Sequence, residues 1–214
     1  MPTLRPRALL FDMDGLMVDS EPLWHEVECE VARRHGGKWT DALSHECIGT
    51  GLPHTVELMR ERLGLALATE AGVGELEATF IARVGELALK PGCRELLDAA
   101  HGRLPLALAS SSTPELIGAV LARFALAGHF AAVVSGSSVA RPKPAPDIFL
   151  CAAERLGVAA DACVVLEDSA AGVAAGRAAG MLVIAVPERE RARFASLTDH
   201  VVGDLYEARA LLAL

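Results

Sequence analysis

Five short apolar runs, each ending in a small or acidic residue, recur along the chain with helical patterns between them: ALLFD (8–12), LALAS (106–110), AAVVSG (131–136), CVVLED (163–168) and LVIAV (182–186). No other feature constrains the fold as tightly. A strand that is apolar at every position must be covered on both faces, and strands that alternate with helices pair in parallel through crossover helices. The pattern therefore predicts an α/β fold, a parallel sheet with helices on both sides. Helix boundaries agree with it. Thr113-Pro114-Glu115 opens a helix over 113–124, and Pro146-Asp147 opens one that Gly157 stops after Leu156.

The rhythm breaks once. From Leu16 to Leu89 there are helical patterns but no strand, and both EPLWHEVECEVARRHG and TEAGVGELEATFIARVGELAL are amphipathic. This predicts a helical cap over 16–89 inserted after the first strand, with a core built from 1–15 and 90–214. The stretch Cys47-Ile48-Gly49-Thr50-Gly51-Leu52-Pro53 reads as a loop, and hinges near 16–20 and 87–92 would let the cap open and close.

In an open parallel sheet, ligands bind beyond the carboxyl ends of the strands. The residues there are Asp12 and Asp14, Ser110 and Ser111, and Glu167 and Asp168. Carboxylates gathered in one place repel each other unless a cation sits among them, and a hard, oxygen-seeking Mg²⁺ is the natural occupant. A carboxylate at Asp12 can attack phosphorus, a second at Asp14 can shuttle a leaving-group proton, and Gly15 lets the chain turn sharply behind them. Taken alone, D-x-D-G fits a calcium-loop fragment or a plain turn equally well, and SSSTP fits a helix cap. Ser110 and Ser111, with backbone N–H groups at a helix start, can also hold phosphate oxygens. Lys143 lies between prolines in ARPKPAPD, a stiffened setting for a point charge that neutralises both a phosphate and the nucleophile. Ser169 is placed to cap the helix after Glu167-Asp168.

Composition narrows the partners. Lys and Arg total 20 against 28 Asp and Glu, a formal charge of −8 with no basic cluster, so neither nucleic acid nor an anionic membrane is expected. No apolar stretch approaches the ~18 residues of a membrane span. The run MPTLRPRALLF is cut by Asp12 and Asp14 before it reaches the length of a secretory h-region. The five cysteines, widely spaced and without a C-x-x-C pair, point to neither zinc nor disulfides and fit a reducing cytoplasm. The seven histidines sit in no motif and read as surface or packing residues, and Trp24 and Trp39 as cap packing, with Trp24 also able to line the cleft. The expected partner is a small phosphate ester, with the protein a monomer or weak dimer.

The segments FDMDGLMVDSEPLW (11–24), LALASSST (106–113), ARPKPAPDIFL (140–150) and LEDSAAG (166–172), in this order, resemble the haloacid dehalogenase superfamily, in its β-phosphoglucomutase-like branch of sugar-phosphate phosphatases and mutases. The resemblance implies a Rossmann-like core of strand order 5-4-1-2-3 and a Mg²⁺-dependent phosphatase acting on a sugar or polyol phosphate. It implies Asp12 as the nucleophile that becomes an aspartyl-phosphate, and Asp14 as general acid/base that also lends a backbone carbonyl to Mg²⁺. Ser110 and Lys143 would bind phosphate, and Asp168 would bind Mg²⁺ directly, with Glu167 direct or through water. Two departures favour hydrolysis over a β-phosphoglucomutase-type mutase reaction. Trp24 stands where the mutases carry a cap histidine, and the loop from Gly49 to Leu52 has no counterpart of their cap arginine. SEPLW is similar to the family's hexose- and hexitol-phosphate phosphatases. Asp14 argues against a dehalogenase that attacks carbon, the long insertion and the Glu167-Asp168 pair against a phospho-accepting receiver module, and the retention of both Asp12 and Asp14 against a silent binding protein.

Overall fold

The structure, a computed structural model, describes residues 4–48, 50–189 and 191–214. Among them, six parallel strands form one sheet: β1 (Ala8–Phe11), β2 (Leu106–Ser110), β3 (Ala132–Ser135), β4 (Cys163–Glu167), β5 (Leu182–Ala185) and β6 (His200–Val201). Their order is β3-β2-β1-β4-β5-β6. That is the 5-4-1-2-3 arrangement with one short edge strand added, and β6 is too brief to leave a pattern in the sequence. The fold is a Rossmann-like α/β sandwich.

The helices are α1 (Glu21–Arg34), α2 (Asp41–Cys47), α3 (Leu52–Leu63), α4 (Thr69–Ala82), α5 (Cys93–Ala100), α6 (Pro114–Phe124), α7 (Asp147–Leu156), α8 (Ala170–Ala178), α9 (Arg191–Phe194) and α10 (Leu205–Leu211). The predicted starts and stops fall within a residue of the observed ones. Thr113 caps α6 by accepting from Leu116 N, Ser169 caps α8 by accepting from Gly172 N, and Gly157 ends α7 in the left-handed conformation. The predicted loop from Cys47 to Pro53 is shorter than expected: α2 runs through Cys47 and α3 begins at Leu52, because a proline at the first turn of a helix loses no hydrogen bond. Gly49, within that loop, lies outside the described residues.

Strand β1 shows why the sheet needs cover on both sides. Leu9 and Phe11 join one buried cluster while Ala8 and Leu10 join the other. The second cluster packs under α7 and α8 through Ile148, Phe149 and Val173. The first continues without interruption from the sheet into the helices between β1 and β2, through Val27, Met59, Leu76 and Phe80. These four helices, α1 to α4, pack on one another as a layer. The chain enters and leaves the layer through two adjacent segments that pair: Asp19 N donates to Ala88 O (2.9 Å) and Lys90 N to Met17 O (2.9 Å), around a bridge between Val18 and Leu89. The layer is thus tied to the sheet both by this pairing and by shared apolar packing. No helix among the described residues is long and apolar enough to cross a membrane.

Candidate active site

Parallel pairing sets the site. β1 lies between β2 and β4, with Phe11 beside Leu108 on one side and Leu166 on the other, so Asp12, Ser110 and Glu167 emerge at the same edge of the sheet. Asp12 N donates to Leu166 O (3.1 Å), which carries the register one residue past the end of β1. Into this edge the loop before α7 delivers Lys143, whose side chain is only 2% exposed. Its ammonium donates to Asp12 Oδ1, to Glu167 Oε1 (2.7 Å) and to Ala109 O (3.1 Å), so all three of its N–H bonds are used, and it lies 5.0 Å above the Phe149 ring.

The remaining carboxylates are held differently. Glu167, with no exposed surface, has Lys143 on one oxygen, and on the other both Ser169 N and Ser169 Oγ, each at 2.9 Å. The first turn of α8 presses so close that a Cβ on Gly172 would stand 1.7 Å from Glu167 Oε1. Asp168 accepts no hydrogen bond from any described residue. Gly15, at φ +81°, lets the chain turn directly beside it, and a side chain there would fall 2.1 Å from Asp168 Oδ2. Asp14 turns the other way: its carboxylate accepts from Ser112 Oγ (2.8 Å), from Ser110 Oγ (3.4 Å) and from Trp24 Nε1 (3.3 Å). Ser111 lines the cleft with its hydroxyl outside any hydrogen bond to a described residue.

Electrostatics follow from this packing. Burial pushes the Asp12 carboxyl up to about 7; Lys143 opposes the rise, and Glu167 and Asp14 add to it. For Lys143, burial works against the charge, but Asp12 and Glu167 outweigh it and hold the ammonium above its usual range. Burial raises the Asp168 carboxyl well above the ordinary value, with Glu167 and Asp12 contributing. One oxygen from each of Asp12, Glu167 and Asp168 falls within 4.8 Å of the others, and Asp14 O accepts no backbone hydrogen bond from any described residue. This is an all-oxygen set with more negative charge than Lys143 neutralises, which fits a hard divalent cation such as Mg²⁺.

The sheet edge opens into a cavity of about 380 Å³ whose other wall is the helical layer, including Trp24, His25 and Glu28 of α1 and Asp41, Ser44 and His45 of α2. Trp24 both packs and lines the cleft, since its ring stacks on Phe80 with centroids 4.1 Å apart. His25 and His45 depart from the reading of the histidines as surface or packing residues, because α1 and α2 turn both into the cavity. His45 also meets the segment after β5, where Arg189 Nη1 donates to its Nε2 (3.0 Å). Ser112 is a further residue that motif reading passed over. It follows Ser110 and Ser111 in a run of three serines, and only the fold shows which of them meets Asp14.

A family model described as haloacid dehalogenase-like hydrolase matches residues 6–180. The phosphorylated carbohydrates phosphatase of Thermotoga maritima is 35% identical over 179 residues, covering 81% of this chain and 82% of its own length. Hexitol phosphatase B of Escherichia coli O157:H7 is 34% identical over 212 residues, covering 92% and 96%. Among solved structures, CbbY of Rhodobacter sphaeroides in complex with phosphate superposes with a TM-score of 0.87 at 27% identity, covering 98% of this chain and all of that one.

Replacing Lys143 tests the electrostatic account. Lys143→Met leaves Asp12 and Glu167 buried without their cation, which typically costs about 3–5 kcal/mol. Removing the ammonium raises the Asp12 carboxyl beyond about 7, so the deficit grows as pH rises through 7 and shrinks below it, where the native state of both proteins takes up the proton. Chemical denaturation in chelator at pH 8 and pH 5.5 measures it; an equal deficit at both pH values would contradict the ion-pair account.

Proposed function

The chain belongs to the haloacid dehalogenase-like hydrolases and is a phosphoric monoester hydrolase, and on that premise we propose that it hydrolyses a sugar or polyol phosphate through an aspartyl-phosphate on Asp12, with Mg²⁺ as cofactor. The observation that carries the reading is the division of labour between two carboxylates on one turn. Asp12 is clamped by Lys143, while Asp14 points away toward Ser112, Ser110 and Trp24. One is held for attack, the other for proton transfer.

In this reading Asp12 attacks phosphorus in line, and the bond to the ester oxygen breaks as Asp14 gives that oxygen its proton. Asp14, now a carboxylate, then takes a proton from water, whose oxygen attacks the phosphoryl group and frees Asp12 and inorganic phosphate. Ser110 and Ser111 hold phosphoryl oxygens, and Lys143 keeps its positive charge beside Asp12 as charge moves onto phosphorus. Mg²⁺, held by Asp12, Asp168 and the Asp14 carbonyl, with Glu167 direct or through water, would supply the neutralisation that lets a carboxylate approach a phosphate dianion. The helices over 16–89 act as a cap on the core of 1–15 and 90–214, excluding water while the phosphoryl group is transferred.

The relatives support the substrate class, since one is a phosphatase of phosphorylated carbohydrates and another a hexitol phosphatase. The cleft supports hydrolysis over phosphoryl relocation. Lys143 and Arg189 are its only Lys or Arg among the described lining residues, and both are engaged, by Asp12 with Glu167 and by His45. A mutase needs a second phosphate site, and with Lys143 spent on two acids the described lining residues leave only Arg189, one of whose N–H groups goes to His45, to supply a Lys or Arg charge for it.

Three outcomes are expected. Asp12→Asn lowers kcat by at least about 10²-fold with the fold intact, because an amide of the same volume cannot attack phosphorus; higher residual turnover in purified variant would count against covalent catalysis. Exhaustive chelation abolishes hydrolysis of hexitol phosphates and added Mg²⁺ restores it, so undiminished activity in chelator would sink the metal assignment. With β-glucose 1-phosphate and catalytic glucose 1,6-bisphosphate, inorganic phosphate appears and glucose 6-phosphate does not accumulate ahead of it. The reverse ratio would establish the mutase reaction instead.

A further inference from the structure

Glu28 is a buried acid that the proposed chemistry leaves without a role. It sits on α1, 3% exposed, in the wall of the same cavity as Asp12, Asp14 and Lys143. One of its oxygens is fixed by several partners. Oε2 accepts from Trp39 Nε1 (2.8 Å) and from Ser44 Oγ, Trp39 Nε1 also reaches Ser44 Oγ (2.8 Å), and Ser44 Oγ faces His25 Nδ1 (2.9 Å). Behind them His25 Nε2 lies 3.2 Å from Asp41 Oδ1. Oε1 accepts nothing from any described residue. Burial raises the Glu28 carboxyl, with the bonds from Ser44 and Trp39 opposing the rise, so the ionised group is held here at a cost. A clip between α1 and α2 needs only the satisfied oxygen, and an uncharged amide would provide it.

A second unpaired group belongs to the same wall. Ser20 Oγ, on a residue with no exposed surface, lines the cavity and has no hydrogen-bond partner among the described residues, although Ser20 stands where a helix-capping hydroxyl would bond the first turn of α1. A lone carboxylate oxygen that accepts and a hydroxyl that both accepts and donates match the hydroxyls of a carbon chain. A second anionic group on the substrate would instead meet Glu21, Glu28, Asp41 and Glu188 along the cavity.

We propose that Glu28 Oε1 accepts a hydrogen bond from a hydroxyl of the substrate's carbon chain, making Glu28 a specificity-determining residue that selects polyhydroxylated, otherwise uncharged phosphate monoesters over alkyl ones. The assignment rests on the phosphatase reading above. Trp39 and Ser44 are positioning residues, because they aim the carboxylate without touching substrate. A buried acceptor made for a hydroxyl discriminates strongly against an analogue that leaves it unpaired.

The test is the ratio of kcat/KM for a hexitol phosphate to that for hexyl phosphate, a chain of equal length without hydroxyls. In the wild type the ratio is expected to exceed about 100. It falls about 10-fold in Glu28→Gln, where a neutral group replaces the charged acceptor, and about 100-fold in Glu28→Met, in both through KM for the hexitol phosphate. If Glu28→Met does not fold, Glu28→Gln, which still accepts from Trp39 and Ser44, and the wild-type ratio decide the matter. A variant that loses both substrates in proportion shows a purely structural Glu28 and overturns the proposal. So does a wild type that hydrolyses both substrates equally, although the phosphatase reading then survives. Preference for 6-aminohexyl phosphate over the hexitol phosphate overturns it in favour of an ammonium ligand. Hydrolysis of none of the three removes the phosphatase reading, and this proposal with it.

Discussion

One ammonium group holds the business end of this molecule together. Lys143 is almost wholly out of water, and it stays charged because Asp12 from β1 and Glu167 from β4 outweigh the burial that opposes it. Remove either acid and a buried cation is left under-compensated; remove the lysine and two acids repel in a low-dielectric pocket. The same contact joins three stretches of chain far apart in sequence, with the Ala109 carbonyl at the end of β2 as a fourth. Such a group adds little net stability compared with apolar packing. Its value is that only one arrangement of the three loops satisfies it, so it serves as a register pin for the carboxyl edge of the sheet.

The edge of the sheet that Lys143 pins was readable from sequence alone. A fully covered parallel strand has to be apolar throughout, so ALLF, LALA and CVVL announce themselves, and the first polar residue after each marks the sheet edge within one position. Asp12, Ser110 and Glu167 follow by arithmetic. Their mutual contact follows from parallel register, because neighbouring strands that end together put their next residues together. Gly15 was legible for a similar reason, since the turn behind the aspartates admits no side chain beside Asp168.

The helical layer was legible only in outline. Its amphipathic stretches gave its existence, but amphipathicity says which face is buried and nothing about which polar residue on that face meets a cleft. Glu28 falls among the buried positions Val27 and Val31 of α1, where an acid looks like an irregularity in the apolar stripe. Trp39 lies outside any helix, and Ser44 belongs to α2, a helix of seven residues that is too short for periodicity to reveal. Their meeting depends on how α1 and α2 pack, which is tertiary information. His25 and His45 escaped for the same reason, as does the choice of Ser112 over Ser111 as the partner of Asp14.

Trp24 is where the two halves of the site depend on each other. Its indole N–H reaches Asp14, the carboxylate assigned to proton transfer, while its ring stacks on Phe80 of α4. The position of the helical layer is therefore communicated to Asp14 by one rigid side chain. A histidine in its place could exchange protons with the reacting groups; an indole can donate a hydrogen bond but cannot relay a proton. Its effect on Asp14 is thus confined to orientation. The residue that departs from the mutase pattern does more than omit a function. It ties the orientation of the Asp14 carboxylate to the seating of α1 and α4 against the sheet.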